Sequence, residues 1–260
     1  MNQSMKNHLK ESLEQDVRVD GRTRHEHRDV DVETGVISTA EGSARVTAGD
    51  AELLAGVKIE SREPYPDSPD EGSIMVNVEL LSMSHKDFES GRPGIESIEP
   101  SRVIDRGLRE SGAIDLKSLC IEEGETVLGI SIDIVPLNYD GNIYGLGGLA
   151  ALAAVKDLTM PAVDDNGNID WDEEGDLDVD LAHDPLPVTV YKIDDLLLID
   201  PTREEEQAAD ARLTVTTLDD ERVCSLQKGG DAPISDDEFN EMIDLAFDTT
   251  ESLRDNIDAI

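Results

Sequence analysis

Three arginines, Arg102, Arg106 and Arg109, recur at i, i+4 and i+7 in the stretch SRVIDRGLRES (101–111). On a helix that spacing lines them along one face, where guanidinium forks can bind successive phosphates. They can equally pair with Glu99, Asp105 and Glu110, or with a partner's acids, and spacing alone leaves both uses open. A second stretch with possible chemistry is DGNIYGLGGLAALAAVKDL (140–158), where Gly145, Gly147 and Ala150 fit G-x-G-x-x-A. That turn holds a dinucleotide pyrophosphate when a short strand–helix–strand unit surrounds it. Here the helix runs into TMPAVDDNGN, which reads as a loop. The small residues are better explained as a surface that lets a helix press against its neighbours.

The remaining polar clusters are weaker. The connector VDDNGNIDWDEEGDLDVDLAHD is rich in acids, but an EF-hand needs Gly at the sixth position and Glu at the twelfth. Registering on Gly175 puts Leu181 at the twelfth position, and registering on Gly167 puts Ala162 at the first. A solvated acidic loop is expected instead. His8, His25, His27, His85 and His183 offer no ligand spacing, so no metal site is expected. Neither G-x-S-x-G nor a phosphate-binding G-x-x-x-x-G-K-[ST] loop occurs.

The elements that carry these residues follow from periodicity. Met5, Leu9 and Leu13 predict a helix over 3–15. Alternation from Arg28 to Ser61, broken at Gly35, Glu41-Gly42 and Gly49-Asp50, predicts a meander of three strands. EPYPDSPDEG (63–72) is a loop and SIMVNVELLS a strand. Pro100 is expected to open a helix that Gly112 closes, with Val103, Ile104 and Leu108 inward. A strand over 126–137 and a helix over 145–158 complete the first lobe. After the connector come the strands LPVTVYKI, DLLLID, RLTVTTLD and RVCSLQKGG. A final helix opens on Ser235 and Glu238, a capping box, with Phe239, Met242, Ile243, Ala246 and Phe247 on its apolar face. The expectation is α/β in the α+β sense: two related lobes of mixed sheet plus helices.

Composition bounds the rest. With 60 acids against 22 bases the 260-residue chain carries −38, and its 38% hydrophobic content includes only 3% aromatics. The acids are interleaved with periodic apolar residues from end to end, which argues against a disordered acidic tail. Such a pattern fits a salt-adapted cytoplasm, where a Debye length of ~3 Å or less screens self-repulsion. Cys120 and Cys224 lie far apart and suit a reducing compartment. No leader-like apolar segment or membrane span is visible, so a cytoplasmic protein without membrane contact is expected.

Residues 17–60 resemble the opening of RNase PH-family proteins through Asp20-Gly21-Arg22, Glu26, Arg28, Gly42-Ser43 and Gly49-Asp50. With SRVIDRGLRES, AIDLKSLCI, IDIVPLNYDGN and DPTREEEQAADARLTV (200–215), the likeness narrows to the non-catalytic RNase PH-like subunits of the archaeal exosome ring. It spans residues 17–258 and implies an extension over 1–19, a first RNase PH-like domain over 20–160, the acidic connector over 161–185 and a second domain over 186–260. A halophilic archaeal source would also account for the charge.

The resemblance further implies a pseudo-sixfold ring in which three copies alternate with a catalytic RNase PH-like partner, with RNA-binding cap subunits on one face. Phosphorolytic members carry Asp-Gly-Gly-Thr-Arg where this chain reads Asp140-Gly141-Asn142-Ile143-Tyr144. Ile143 cannot donate a hydrogen bond and Tyr144 brings no positive charge, so a principal source of transition-state stabilisation is missing. In the second lobe, Glu206 stands near the position of the family's catalytic Asp, and Asp210 follows at a spacing about two residues shorter. Ile143, Tyr144, Glu206 and Asp210 are thus degenerate active-site positions, with no catalytic residue and no cofactor of the chain's own. Phosphate, and any magnesium, would belong to the catalytic partner. Arg102, Arg106 and Arg109 are the candidates for RNA or interface contacts. The competing readings are a phosphate-dependent 3′→5′ exoribonuclease in its own right, favoured by Asp200, Glu206 and Asp210, and a stand-alone acidic binding protein, which the ordered motifs disfavour.

Overall fold

A computed structural model describes residues 3–164, 168–175, 179 and 181–257. Helix α1 (Gln3–Leu13) forms as its four-residue spacing predicts, and it buries Leu9 and Leu13. The meander follows as β1 (Val30–Thr34), β2 (Gly42–Ala48) and β3 (Ala51–Arg62), antiparallel in sequence. Alternate residues of β3 from Ala51 to Ile59 are buried, so one face of this sheet makes core, as period-two patterning requires. Strand β4 (Ser73–Val78) is followed by α2 (Ile95–Glu110), then by β5 (Cys120–Glu122) and β6 (Thr126–Asn138). The sheet order is β1-β2-β3-β6-β4, with β5 on β6. β4 runs parallel to β6, and α2 lies in the crossover between them.

Helix α2 begins earlier than Pro100 suggests. Residues 95–99 place Ile95 and Ile98 in solvent, so the apolar periodicity that reveals Val103, Ile104 and Leu108 is silent there. Pro100 sits inside the helix, where its ring is buried and its missing N–H forgoes one intrahelical bond.

Helix α3 (Ile143–Lys156) starts two residues before its expected position because Asn142, in the left-handed region at φ 58°, caps it by accepting from the Gly145 N–H. Ala150 to Ala154 are wholly buried. The helix lies between the first sheet and the second, which explains why it is apolar on every side. A Cβ on Gly148 would stand 2.1 Å from Cγ of Pro187, and one on Gly147 would stand 3.1 Å from Ile104. The glycine run therefore serves close packing and holds no pyrophosphate.

The acidic connector contains structure that the loop expectation lacked: β7 (Pro161–Val163) pairs antiparallel with β8 (Ile169–Glu174). Residues 165–167, 176–178 and 180 of the connector lie outside the described residues, and with them the Gly167 register.

The second sheet is wholly antiparallel, in the order β10 (Leu196–Ile199), β9 (Leu186–Ile193), β11 (Ala211–Thr217), β12 (Val223–Gly230). A short helix α4 (Arg203–Ala208) precedes β11 under a capping box from Thr202 and Glu205. Helix α5 (Asp236–Ile257) opens on Ser235, whose N–H and hydroxyl reach Glu238 at 2.8 and 2.9 Å. Leu9 and Leu13 of α1 pack beneath this second sheet, against Tyr191, Ile193 and Leu198. No helix among the described residues is long and apolar enough to cross a membrane.

Candidate functional site

Three of the four degenerate positions come together. At the seam between the lobes, a cavity of about 230 Å³ is lined by Ile143 and Tyr144 at the start of α3, Glu99 of α2, Glu206 of α4 and Arg212 of β11. Ile143 and Tyr144 are buried. The guanidinium of Arg212 lies 4.5 Å from the Tyr144 ring centroid and donates to its hydroxyl at 2.6 Å. That same guanidinium is paired with the Glu99 carboxylate. Burial pushes the Tyr144 phenol up, and Glu99 and Glu206 add to the shift against the opposing charge of Arg212, so the ring stays neutral. The positive charge that does reach this pocket is already neutralised.

Glu206 is equally occupied. Its carboxylate accepts from the Tyr139 hydroxyl at 2.8 Å, the Tyr191 hydroxyl at 3.3 Å and Arg203 at 3.0 Å. Arg203 in turn stacks 5.2 Å above the Tyr139 ring. A carboxylate with three protein donors on it is poorly placed to take a proton or ligate a cation. Asp210 does not line the cavity. It faces α1, where it accepts from Lys6 at 2.5 Å and caps the β9–β10 turn through the Asp194 N–H at 2.9 Å. Among the described residues, no group of three His, Cys, Asp or Glu side chains could hold a metal ion.

Beside the cavity, Asp200 is the centre of a buried ionic cluster that sequence reasoning missed. It is 1% exposed, has φ 43°, and accepts from Arg28 Nε at 2.8 Å and Nη2 at 2.7 Å. Arg22 and Asn142 add donors at 2.8 and 2.7 Å. Next to it, Arg18 meets Glu205 in a bidentate pair at 2.9 and 2.5 Å. Burial alone would raise the Asp200 carboxyl, but the Arg28 hydrogen bonds and the surrounding cations hold it well below the usual range. Arg22 and Arg28, quoted above for the family likeness, thus tie segment 17–28 to the loops at 140 and 200.

The three arginines of α2 share a face but not a role. Arg109 is held by Asp105 at 2.8 Å and by the Ile74 carbonyl at 2.6 Å, over the first sheet. Arg106 turns the other way and reaches Gln227 of β12 at 3.1 Å. Arg102 is exposed and has no hydrogen bond or ion pair among the described residues. Glu99, one of the expected local partners, is committed to Arg212.

The two domain models of the RNase PH 3′ exoribonuclease family match residues 26–161 (domain 1) and 184–249 (domain 2). The chain belongs to this family. Within it, the sequence is 42% identical over 243 residues to the Exosome complex component Rrp42 of Methanocella arvoryzae, covering 94% of this chain and 91% of that one. It is 44% identical over 241 residues to the Rrp42 of Methanosarcina acetivorans, with 91% and 87% covered. Among solved structures, it superposes on a chain of an Archaeoglobus fulgidus exosome with RNA bound to the active site. That match has TM-score 0.90, 38% identity and 98% coverage of both chains. A chain of an archaeal exosome core matches with TM-score 0.85 and 38% identity, covering 96% and 95%. The family fold is thereby established over nearly the whole length.

Proposed function

We propose that the chain is a ring subunit of an archaeal exosome that has no phosphorolytic centre of its own and works beside a catalytic RNase PH-like partner in the cytoplasm. Its likeness to Rrp42 chains and to exosome chains extends over more than nine-tenths of its length, which supports the ring role. One observation carries the inactive reading: where phosphorolytic members place Thr and Arg, this pocket holds Ile143 and Tyr144, with the nearest guanidinium already paired to Glu99. Phosphorolysis brings a phosphate anion against an anionic diester, and a site whose guanidiniums, Arg203 and Arg212, are already paired with Glu206 and Glu99 offers that transition state no spare positive charge. Losing one such donor costs ~10²–10³ in rate, and here both groups are replaced.

The purified chain is therefore expected to release no nucleoside diphosphates from poly(A) with phosphate, magnesium and molar salt present. Mixing it with the catalytic partner should yield a larger assembly and phosphate-dependent decay. Diphosphate release that co-purifies with the chain alone overturns the inactive reading.

Of the α2 arginines, Arg102 is the one with a free guanidinium, and it is assigned to an RNA phosphate. Arg102→Glu should weaken binding of single-stranded RNA to the assembled ring about equally for all sequences, since phosphates carry no base identity. The slope of log affinity against log salt should fall by ~0.7, one single-strand phosphate contact. An unchanged slope in a ring of unchanged mass removes Arg102 from the RNA path.

A further inference from the structure

A second cavity, of about 260 Å³, lies on the outer side of α2, between that helix, the edge strand β4 and the end of β3. Its wall includes three guanidiniums, those of Arg62, Arg102 and Arg109, and one carboxylate, that of Asp105. In a chain with 60 acids and 22 bases, a groove whose own lining is net positive is the exception. Arg62 is positioned by Ser73 at 3.2 Å and Glu60 at 2.7 Å, and Arg109 by Asp105 and Ile74. Arg102 is exposed and has no hydrogen bond or ion pair among the described residues.

At the rim stands Tyr65, 62% exposed, the most exposed aromatic side chain among the large exposed apolar residues. Its backbone is fixed in loop 63–72 by an antiparallel bridge to Ser68, whose N–H bonds the Tyr65 carbonyl at 3.0 Å. Its hydroxyl has no hydrogen-bond partner among the described residues. An exposed Tyr ring on a fixed backbone presents a π-face on which a base can stack. A flat aromatic face beside a row of guanidiniums is the combination that binds unpaired nucleotides: the ring stacks a base and the cations take the flanking phosphates. An acidic peptide would use the arginines and leave the ring idle.

We propose that Tyr65 is a base-stacking platform for single-stranded RNA, with Arg102, the one uncommitted guanidinium of this lining, beside it as the phosphate side of one subsite. This rests on the exosome reading and adds to it a contact of a different kind. Stacking is insensitive to salt, whereas an arginine–phosphate contact is not.

The test uses the ring assembled with its catalytic partner and a single-stranded RNA carrying one 2-aminopurine, moved position by position. One position should be quenched on binding, and Tyr65→Leu should abolish that quenching. The same variant should lower affinity by about 5- to 100-fold, the range for losing one stacked base, without changing the salt slope. Tyr65→Phe, which keeps the ring face, should bind within about twofold of the parent. Full affinity and quenching in Tyr65→Leu overturns the proposal, as does a Tyr65→Leu ring of reduced mass, which would make Tyr65 a subunit contact. A parent ring that binds no RNA sinks the exosome reading with it, so the two failures are told apart.

Discussion

Asp200→Ala should lower the thermal midpoint of the chain more than any substitution on its surface. The change leaves Arg22 and Arg28 buried with their shared carboxylate gone. Removing one partner of a buried ion pair costs about 3–5 kcal/mol because the other charge stays desolvated. That is a large part of the 5–15 kcal/mol that holds an ordinary domain. Asp200→Asn tolerates the same left-handed backbone but not the charge, and should recover only part of the loss. Calorimetric melting of the three proteins in one buffer decides the matter, and a midpoint within a degree of the parent for Asp200→Ala refutes the role given to this cluster.

The same cluster fixes the direction of the acid response. Asp200 is held well below its ordinary 3.8, so its contribution is present above that value and disappears as pH falls through the folded value. His27, beside it, donates from Nδ1 to the Arg28 carbonyl at 2.8 Å and is held below its ordinary 6.5, chiefly by burial. The unfolded chain binds that proton first, so stability should begin to fall beneath pH 6.5 and fall more steeply beneath about 4.

The second large effect concerns salt. Among the described residues only two carboxylates, Asp200 and Glu205, are buried, so nearly all of the −38 is spread over the surface. At ~1 M salt the Debye length is ~3 Å and these charges scarcely sense one another; at ~0.1 M it is ~10 Å and repulsion spans several side chains. Dilution from molar to tenth-molar salt should therefore abolish the helical circular dichroism signal or dissociate the ring. Sucrose, which strengthens burial without screening, should not replace the salt. A chain whose spectrum and mass are the same at both concentrations is not dependent on screening.

What could be read in the sequence follows the range of the interactions involved. The meander and the second sheet were legible because alternation is a property of neighbours, and the α5 cap because Ser235 and Glu238 are three residues apart. Thr202 and Glu205 make the same box, and α4 was still missed because its six residues have no apolar stripe. The resemblance marked Ile143-Tyr144 as degenerate, but not the Arg212 and Glu99 that fill the space around them. The Asp200 cluster was illegible for a plainer reason: its donors stand 172 and 178 residues away in the chain, and no local pattern announces them. Asp210 follows from the family likeness, and just ahead of β11 its carboxylate meets Lys6 of α1 instead.

The docking of α1 and segment 17–28 against the second sheet sets an order of events during synthesis. Arg18 finds Glu205 across 187 residues, and Lys6 finds Asp210 across 204. Lys6 and Arg18 thus lack these partners until most of the chain has been made. Closing so long a loop is slow, and until it closes the underside of the second sheet lacks Leu9 and Leu13. The α1 segment is the last latch to fasten, and a nascent chain stalled short of residue 205 would present an uncovered apolar face to whatever meets it first.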